Sequence, residues 1–299
     1  RQFKRYKMNR RTFITLFGSM WLSPLHAQQN IINTSMSTLQ DLIDQAASGS
    51  TISVPPGEYV VDVQTPLRLK SDIILDLTGS TIVASPTNSI FYAIVVADAC
   101  NNLTINGGTI KGEWDVHLGP TDPGIGGGGG GIVVNASNNV KIKGTTITDC
   151  FADGIIILDG KNIDIDGVIS ENNRRQGMTV TQVDGLHVHN SRFYATGGTP
   201  PGDGINLECD FETQIIKNVL IENNVFYNNK GSAIGLGSPG TYQNIVITSD
   251  NWFDKMTQPI LVSCNAGSLG TPWWAYVLRI FEPFPFYHWW GYPTSWTKV

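Results

Sequence analysis

Two short stretches of the chain share a pattern that could carry chemistry. Asp153-Gly154-Ile155 and Asp203-Gly204-Ile205 each set a carboxylate before a glycine and an apolar run, and Glu208 follows the second by five residues. Arg174, Arg175 and Gln176 stand between them. Two carboxyl groups flanking one bond are what glycoside hydrolysis needs: one protonates the leaving oxygen and the other activates water. Arginines beside the same groove suit a sugar acid, whose carboxylate a guanidinium grips through two parallel hydrogen bonds. Each residue also has a plainer use. Asp-Gly often just turns a chain into a strand, and an arginine often just neutralises an acid.

What must position these residues is a repeat. Six times a turn residue leads an apolar-x-apolar triplet: at Asn102, Asn139, Asn162, Gly185, Asn218 and Asn244. Asn and Gly are the residue types that enter left-handed backbone at least cost. A second family of strands begins at Gly131, Gly154, Gly177, Gly204, Ala233 and Pro259. The offset between the families is 15 residues in four coils, 19 in one and 29 in another. Short strands at a fixed offset, repeating every 23 to 25 residues or so, describe stacked parallel coils sharing one core. The expected fold is all-β, a right-handed parallel β-helix over residues 28–270. An N-terminal helix caps it, with Ser37-Thr38-Leu39-Gln40 as a capping box and Leu39, Leu42, Ile43 and Ala46 on one face.

Alignment of the coils turns sequence positions into columns. Gly130, Asp153, Gln176, Asp203, Ser232 and Gln258 share one column, and Asn206 and Glu208 point outward on the same sheet. Asp153, Asp203 and Glu208 are therefore the candidate catalytic residues, and Arg174, Arg175, Gln176 and Asn206 candidate substrate ligands. Asp153 and Asp203, two coils apart, would be separated by about 9.6 Å at normal strand spacing, near the upper edge of the inverting window of about 6.5–9.5 Å. Two insertions flank this column. One carries Trp114, Asp115, His117 and the glycine run 126–131; the other carries Pro200 and Pro201. Insertions in solenoids tend to build the binding face, so Trp114 and His117 join the candidate substrate ligands.

The segment Thr51-Ile52-Ser53-Val54-Pro55-Pro56-Gly57-Glu58-Tyr59 resembles the first coil of the pectate-lyase-like β-helix superfamily, and the resemblance extends over about residues 36–265. It implies a polysaccharide partner and one of three activities: hydrolase, lyase or epimerase. The Asp-Gly-Ile context resembles the Asn-x-Asp-Gly motif of polygalacturonases at the aspartate alone. The preceding Asn, the family's adjacent Asp pair, its Gly-His-Gly and its Arg-x-Lys have no counterpart. A hydrolase with paired carboxylates needs no cofactor. A uronate lyase or epimerase would use Arg174 and Arg175, with calcium held by the acids. A non-catalytic carbohydrate-binding β-helix is the third expectation.

On the first strand family, Lys141/Lys143, Asp164/Asp166 and His187/His189 stack outward. Asp-x-Asp beside His-x-His could hold a metal, but a ladder of alternating charge explains it as well, and no metal is assigned. Cys209 and Cys264 fall in one column two coils apart, too far for a disulfide, so buried free thiols are expected. Gly124 to Gly129 matches Gly-x-Gly-x-x-Gly, but a strand rather than a helix follows, which excludes a dinucleotide site.

Composition sets the class. The 299 residues are 41% hydrophobic and 15% charged, which excludes a disordered chain. No apolar run reaches the eighteen or so residues of a spanning helix. Six of the 20 basic residues precede residue 12; without them 14 face 25 acids, a balance that excludes a nucleic-acid binder. That basic start leads from Met8 through Asn9-Arg10-Arg11-Thr12-Phe13-Ile14 and an apolar stretch to Leu25-His26-Ala27. The order is that of a signal peptide over residues 1–27, with paired arginines resembling a twin-arginine signal and a start at Met8. A periplasmic or secreted product is expected. Residues 271–299 hold 11 aromatics and break the repeat, and they carry no assigned function.

Overall fold

The computed structural model describes residues 36–122, 124–237, 239–254, 258–263 and 278–280. The leader expected over 1–27 and most of the aromatic segment lie outside the described residues, as does Cys264. Three parallel sheets run the length of the molecule, and each coil contributes one strand to each. Sheet A runs from Ser50–Ser53 to Thr241–Ile247 and gains a last strand, Leu278–Ile280, from within the aromatic segment. Sheet C contains Gly128–Asn135, Asp153–Ile157, Gln176–Val180, Ile205–Glu208, Ser232–Gly237 and Gln258–Ser263 in consecutive register. Between A and C in each coil lies sheet B, with strands as short as Thr146–Thr148 and Ile169–Glu171.

The two repeated strand families are sheets A and C. The leading residues of sheet A are left-handed as their types require: Asn102, Asn139, Asn162, Gly185, Asn218 and Asn244 have φ from 51° to 89°. Their side chains tie coil to coil. Asn139 Nδ2 donates to Asn102 Oδ1 at 2.7 Å, and Asn244 Nδ2 to Asn218 Oδ1 at 2.9 Å. Inside, Leu103, Val140, Ile163, Leu186 and Val219 form one apolar ladder on sheet A, and Ile132, Ile155, Met178, Ile205 and Ile234 another on sheet C, all buried. Phe193, Phe226 and Phe253 stack at 5.3–5.5 Å between centroids in sheet B. No coil could bury these residues alone; stacking removes them from water.

The capping helix spans Met36–Gln45 and packs Leu39 and Ile43 into the core. One detail of the expectation changes: Leu42 is 39% exposed, on the flank of the helix rather than its buried face. The side chains of Ser37 and Thr38 lie outside the described residues. The Gln40 amide accepts from the Arg68 N–H and donates to the Arg68 carbonyl, satisfying the open edge of sheet C. Cys100 and Cys150 are buried free thiols and Cys209 is buried as well; burial pushes each of the three up in pKa. Among the described residues no helix is long and apolar enough to cross a membrane.

Candidate functional site

The column read from the sequence is present. Asp153 pairs in register with Gly130 on one side and Gln176 on the other. Gly177 N–H donates to the Asp203 carbonyl and Gly204 N–H to the Ser232 carbonyl, which carries the column onward. The outward residues of sheet C are buried where they would normally meet water: Ile156, Thr179 and Asn206 are 4–7% exposed. Loops cover this face, and Arg174 ties the two insertions down over it.

The two aspartates differ sharply in their surroundings. Asp153 is wholly buried, and Arg175 meets it with both ends of its fork: Nε donates to Oδ1 at 2.6 Å and Nη2 to Oδ2. Thr179 Oγ1 donates to the same Oδ2 at 2.7 Å. Burial still pushes the Asp153 carboxyl up, with Arg175 pulling against it. Both oxygens of Asp153 are thus taken up by internal bonds to Arg175 and Thr179.

Asp203 is 3% exposed and faces no cation among the described residues. The Ser232 N–H donates to its Oδ1 at 2.6 Å. Burial raises its pKa to about 6, and the nearby Glu208 carboxylate adds to the shift. Two glycines leave space for it. A Cβ on Gly231 would lie 2.4 Å from Asp203 Oδ1; one on Gly235 would lie 2.5 Å from Oδ2 and 3.1 Å from Asn206 Oδ1. Asp203 and Asn206 therefore share the hollow over Gly235. Asn206 Nδ2 in turn donates to Glu208 Oε2 at 2.8 Å. Glu208 is half-buried; burial raises its pKa while Arg175 opposes the rise. Gln176 is buried without a hydrogen bond of normal geometry on its amide, close enough to Glu208 to favour the charged carboxylate.

The adjacent arginines have separate tasks. Arg174 is fully buried, lies 4.3 Å over the Phe151 ring, and donates through Nη2 to the carbonyls of Asp122 (3.0 Å) and Ile125 (2.6 Å). Its own carbonyl accepts from Gly198 and Thr199. Arg174 therefore clamps both insertions to the coil and is not presented to a ligand. Trp114, on the short helix Trp114–Val116, packs half-buried against the same junction; a Cβ on Gly198 would lie 2.5 Å from its ring. His117 is also turned inward. Its ring stacks on Phe151 at 3.7 Å, and its Nδ1 meets Glu113 Oε2 at 3.0 Å with both side chains inaccessible. Arg174 and His117 both face inward and pack beneath the insertions rather than standing open to solvent.

A third insertion escaped the sequence reading. The link from sheet C to sheet A takes two residues in the coils before it (158–159 and 181–182) but six at 209–214. Gln214 Oε1 accepts from the N–H groups of Asp210 and Phe211, and the turn holds Phe211 65% exposed. Asp210 acts electrostatically on both Arg175 and Glu208, which places this turn beside the same face. The irregular offset could have revealed it. Among the described residues, three acid or histidine ligand atoms converge in one place only, Asp164, His187 and His189 on sheet A.

A family model for the right-handed beta helix region matches residues 92–269. The uncharacterized protein YclG of Bacillus subtilis is 31% identical over 172 residues, covering 50% of this chain and 29% of that one, so the chain spans less than a third of that relative. The mannuronan C-5 epimerase AlgE4 A-module of Azotobacter vinelandii is similar at 16% identity and a TM-score of 0.41, over 73% of this chain and 76% of that one. A hyperthermoactive exopolygalacturonase from Thermotoga maritima is similar at 16% identity and a TM-score of 0.45, over 81% and 73%. Likenesses this distant say nothing about the reaction. With more than half of its length inside the family match, the chain belongs to the right-handed β-helix family.

Proposed function

We propose that the protein is an exported polysaccharide hydrolase in which Asp203 is the general acid and Glu208 the partner carboxylate. The observation that carries this reading is Asp203 itself: nearly buried, paired with no cation among the described residues, raised to about 6, and lodged against Gly231 and Gly235. A carboxylic acid still protonated in mildly acidic solution is what leaving-group protonation needs. Burial raises Glu208 as well, but unlike Asp203 it has the Arg175 charge acting against the rise and the Asn206 amide bonded to it at 2.8 Å. A pair of carboxyls of which only one is supported by a cation divides naturally into acid and partner. Asp153 then acts as a positioning residue that holds Arg175 beside Glu208.

The lyase or epimerase reading rests on arginines available to a uronate. Both are committed, Arg174 to loop carbonyls and Arg175 to Asp153, which favours hydrolysis over it. The test is incubation of the full chain with a panel of neutral and uronate polysaccharides. New reducing ends should appear without the ultraviolet absorbance of unsaturated uronate, and Asp203→Asn should remove them. Absorbance rising with the reducing ends would establish a lyase. No product from any polysaccharide would leave the binding β-helix as the better account.

A further inference from the structure

The outer face of sheet A carries a second constellation, remote in role from the Asp203 site. Asp164, His187 and His189 come from adjacent strands, Gly160–Asp166 and Val183–His189, with Asp164 opposite His187 in register and Asp166 opposite His189. A simple charge ladder would join partners straight across the strands. The bonds run diagonally instead. His189 Nε2 lies 3.0 Å from Asp164 Oδ1, and His187 Nε2 reaches past its own neighbour Leu220 to Glu222 Oε1 at 2.8 Å. The two imidazoles stack at 4.0 Å between centroids, 11° from parallel. This brings Asp164 Oδ1 between them, 3.0 Å from one ring nitrogen and 4.0 Å from His187 Nδ1, with all three ligand atoms within 4.8 Å of one another.

We propose that Asp164, His187 and His189 bind one divalent transition cation of the zinc class. Bonds of about 2.0–2.2 Å in a tetrahedron put neighbouring ligand atoms about 3.3 Å apart, so the separations seen need only small side-chain rotations. Two imidazoles and one carboxylate form a borderline donor set that suits zinc rather than calcium or magnesium. The surroundings supply what a ligand histidine requires, a carboxylate on its other nitrogen. In the Nε2–H tautomer His187 donates to Glu222 Oε1 at 2.8 Å, which leaves its Nδ1 lone pair for an ion beside Asp164. His189 Nδ1 is held by the Asn190 amide, whose Nδ2 lies 2.8 Å from it and donates to Asp166 Oδ1 at 2.9 Å; Asp166 Oδ1 is itself 3.5 Å from that ring nitrogen, and Lys143 at 3.4 Å pairs with its other oxygen. All three ligand side chains are partly exposed, which leaves the fourth position to water. The ion would staple two coils together on the face away from the insertions.

The experiment is equilibrium dialysis and calorimetry of the metal-stripped full chain with Zn²⁺ alone. One ion should bind per chain, and substitution by Co²⁺ should give the visible absorption of a tetrahedral site. His187→Gln and His189→Gln should each weaken binding at least tenfold or so, and Glu222→Gln about tenfold through the orientation of His187. Lys141→Ala, on the same face one coil away, should leave it unchanged. These residues point outward, so circular dichroism should show all variants folded. No saturable binding would overturn the proposal, as would Zn²⁺ binding that survives both histidine substitutions or that falls equally with Lys141→Ala.

Discussion

Asp153 and Asp203 occupy the same corner of the coil, in the same Asp-Gly-Ile context, two coils apart on one column. One is locked and the other is free to titrate. The coil that follows each aspartate makes the difference. After Asp153 comes Arg175-Gln176, whose guanidinium reaches back to both carboxylate oxygens, with Thr179 adding a third bond. After Asp203 comes Gly231-Ser232, which offers one backbone N–H and, with Gly235, room that the carboxylate itself occupies. In a solenoid the electrostatic fate of a side chain is set about 23 to 29 residues away in sequence. Identical local motifs therefore carry no guarantee of identical chemistry.

Three substitutions, read through four effects, sharpen or break this contrast. The largest effect falls on Asp203→Asn, which keeps the shape and the Ser232 bond but removes the titrating proton. Product formation on the substrate found in the panel should drop by about 10²–10⁴-fold, the range general acid catalysis supplies. Arg175→Ala should cost about 3–5 kcal/mol in urea unfolding at pH 7, because it leaves the wholly buried Asp153 carboxylate unpaired. A loss below about 1 kcal/mol would mean that Asp153 is protonated in the native protein and that the pairing is weak.

The third effect has the opposite sign. Asp203 is raised from 3.8 to about 6 in the folded state, so folding holds its proton more tightly. Its stabilising contribution is full below pH 4 or so and is lost as pH climbs through about 6. Asp203→Asn should consequently stabilise the protein at pH 8 by up to about 3 kcal/mol and make little difference at pH 4, read from paired denaturation curves. Gly235→Ala should act through geometry alone. Its methyl would press the Asp203 carboxylate out of the hollow, lowering kcat about tenfold or more with a stability change near 1 kcal/mol.

The fold was largely legible in the sequence because Asn and Gly at left-handed corners precede fixed apolar triplets, and all six marked corners are left-handed. Sheet B was not. Strands such as Thr146–Thr148 bury only Ile147, and one inward residue per strand makes no period to detect. The column of Asp153, Gln176 and Asp203 followed from spacing, but the roles along it did not. Arg174 and Arg175 differ by one position, and only the packed coil shows that one faces the insertions and the other Asp153. His117 and Trp114 sat on a loop whose residue types suited sugar contact; their burial depends on Phe151 and Gly198, distant in sequence. Phe211 lay in a spacing anomaly that marked an insertion without giving its direction.

The central claim is that Asp203, unlike Asp153, is a carboxyl that titrates in the range where a general acid must work. Carbon-13 NMR of the aspartate carboxyls across pH 3 to 9, assigned by comparing the native chain with Asp203→Asn, tests it most directly. The account predicts a resonance with a midpoint near 6 that vanishes in Asp203→Asn and persists in Asp153→Asn. An Asp203 midpoint near 4, typical of a solvated aspartate, would contradict it and remove the ground for assigning this site an acid catalyst.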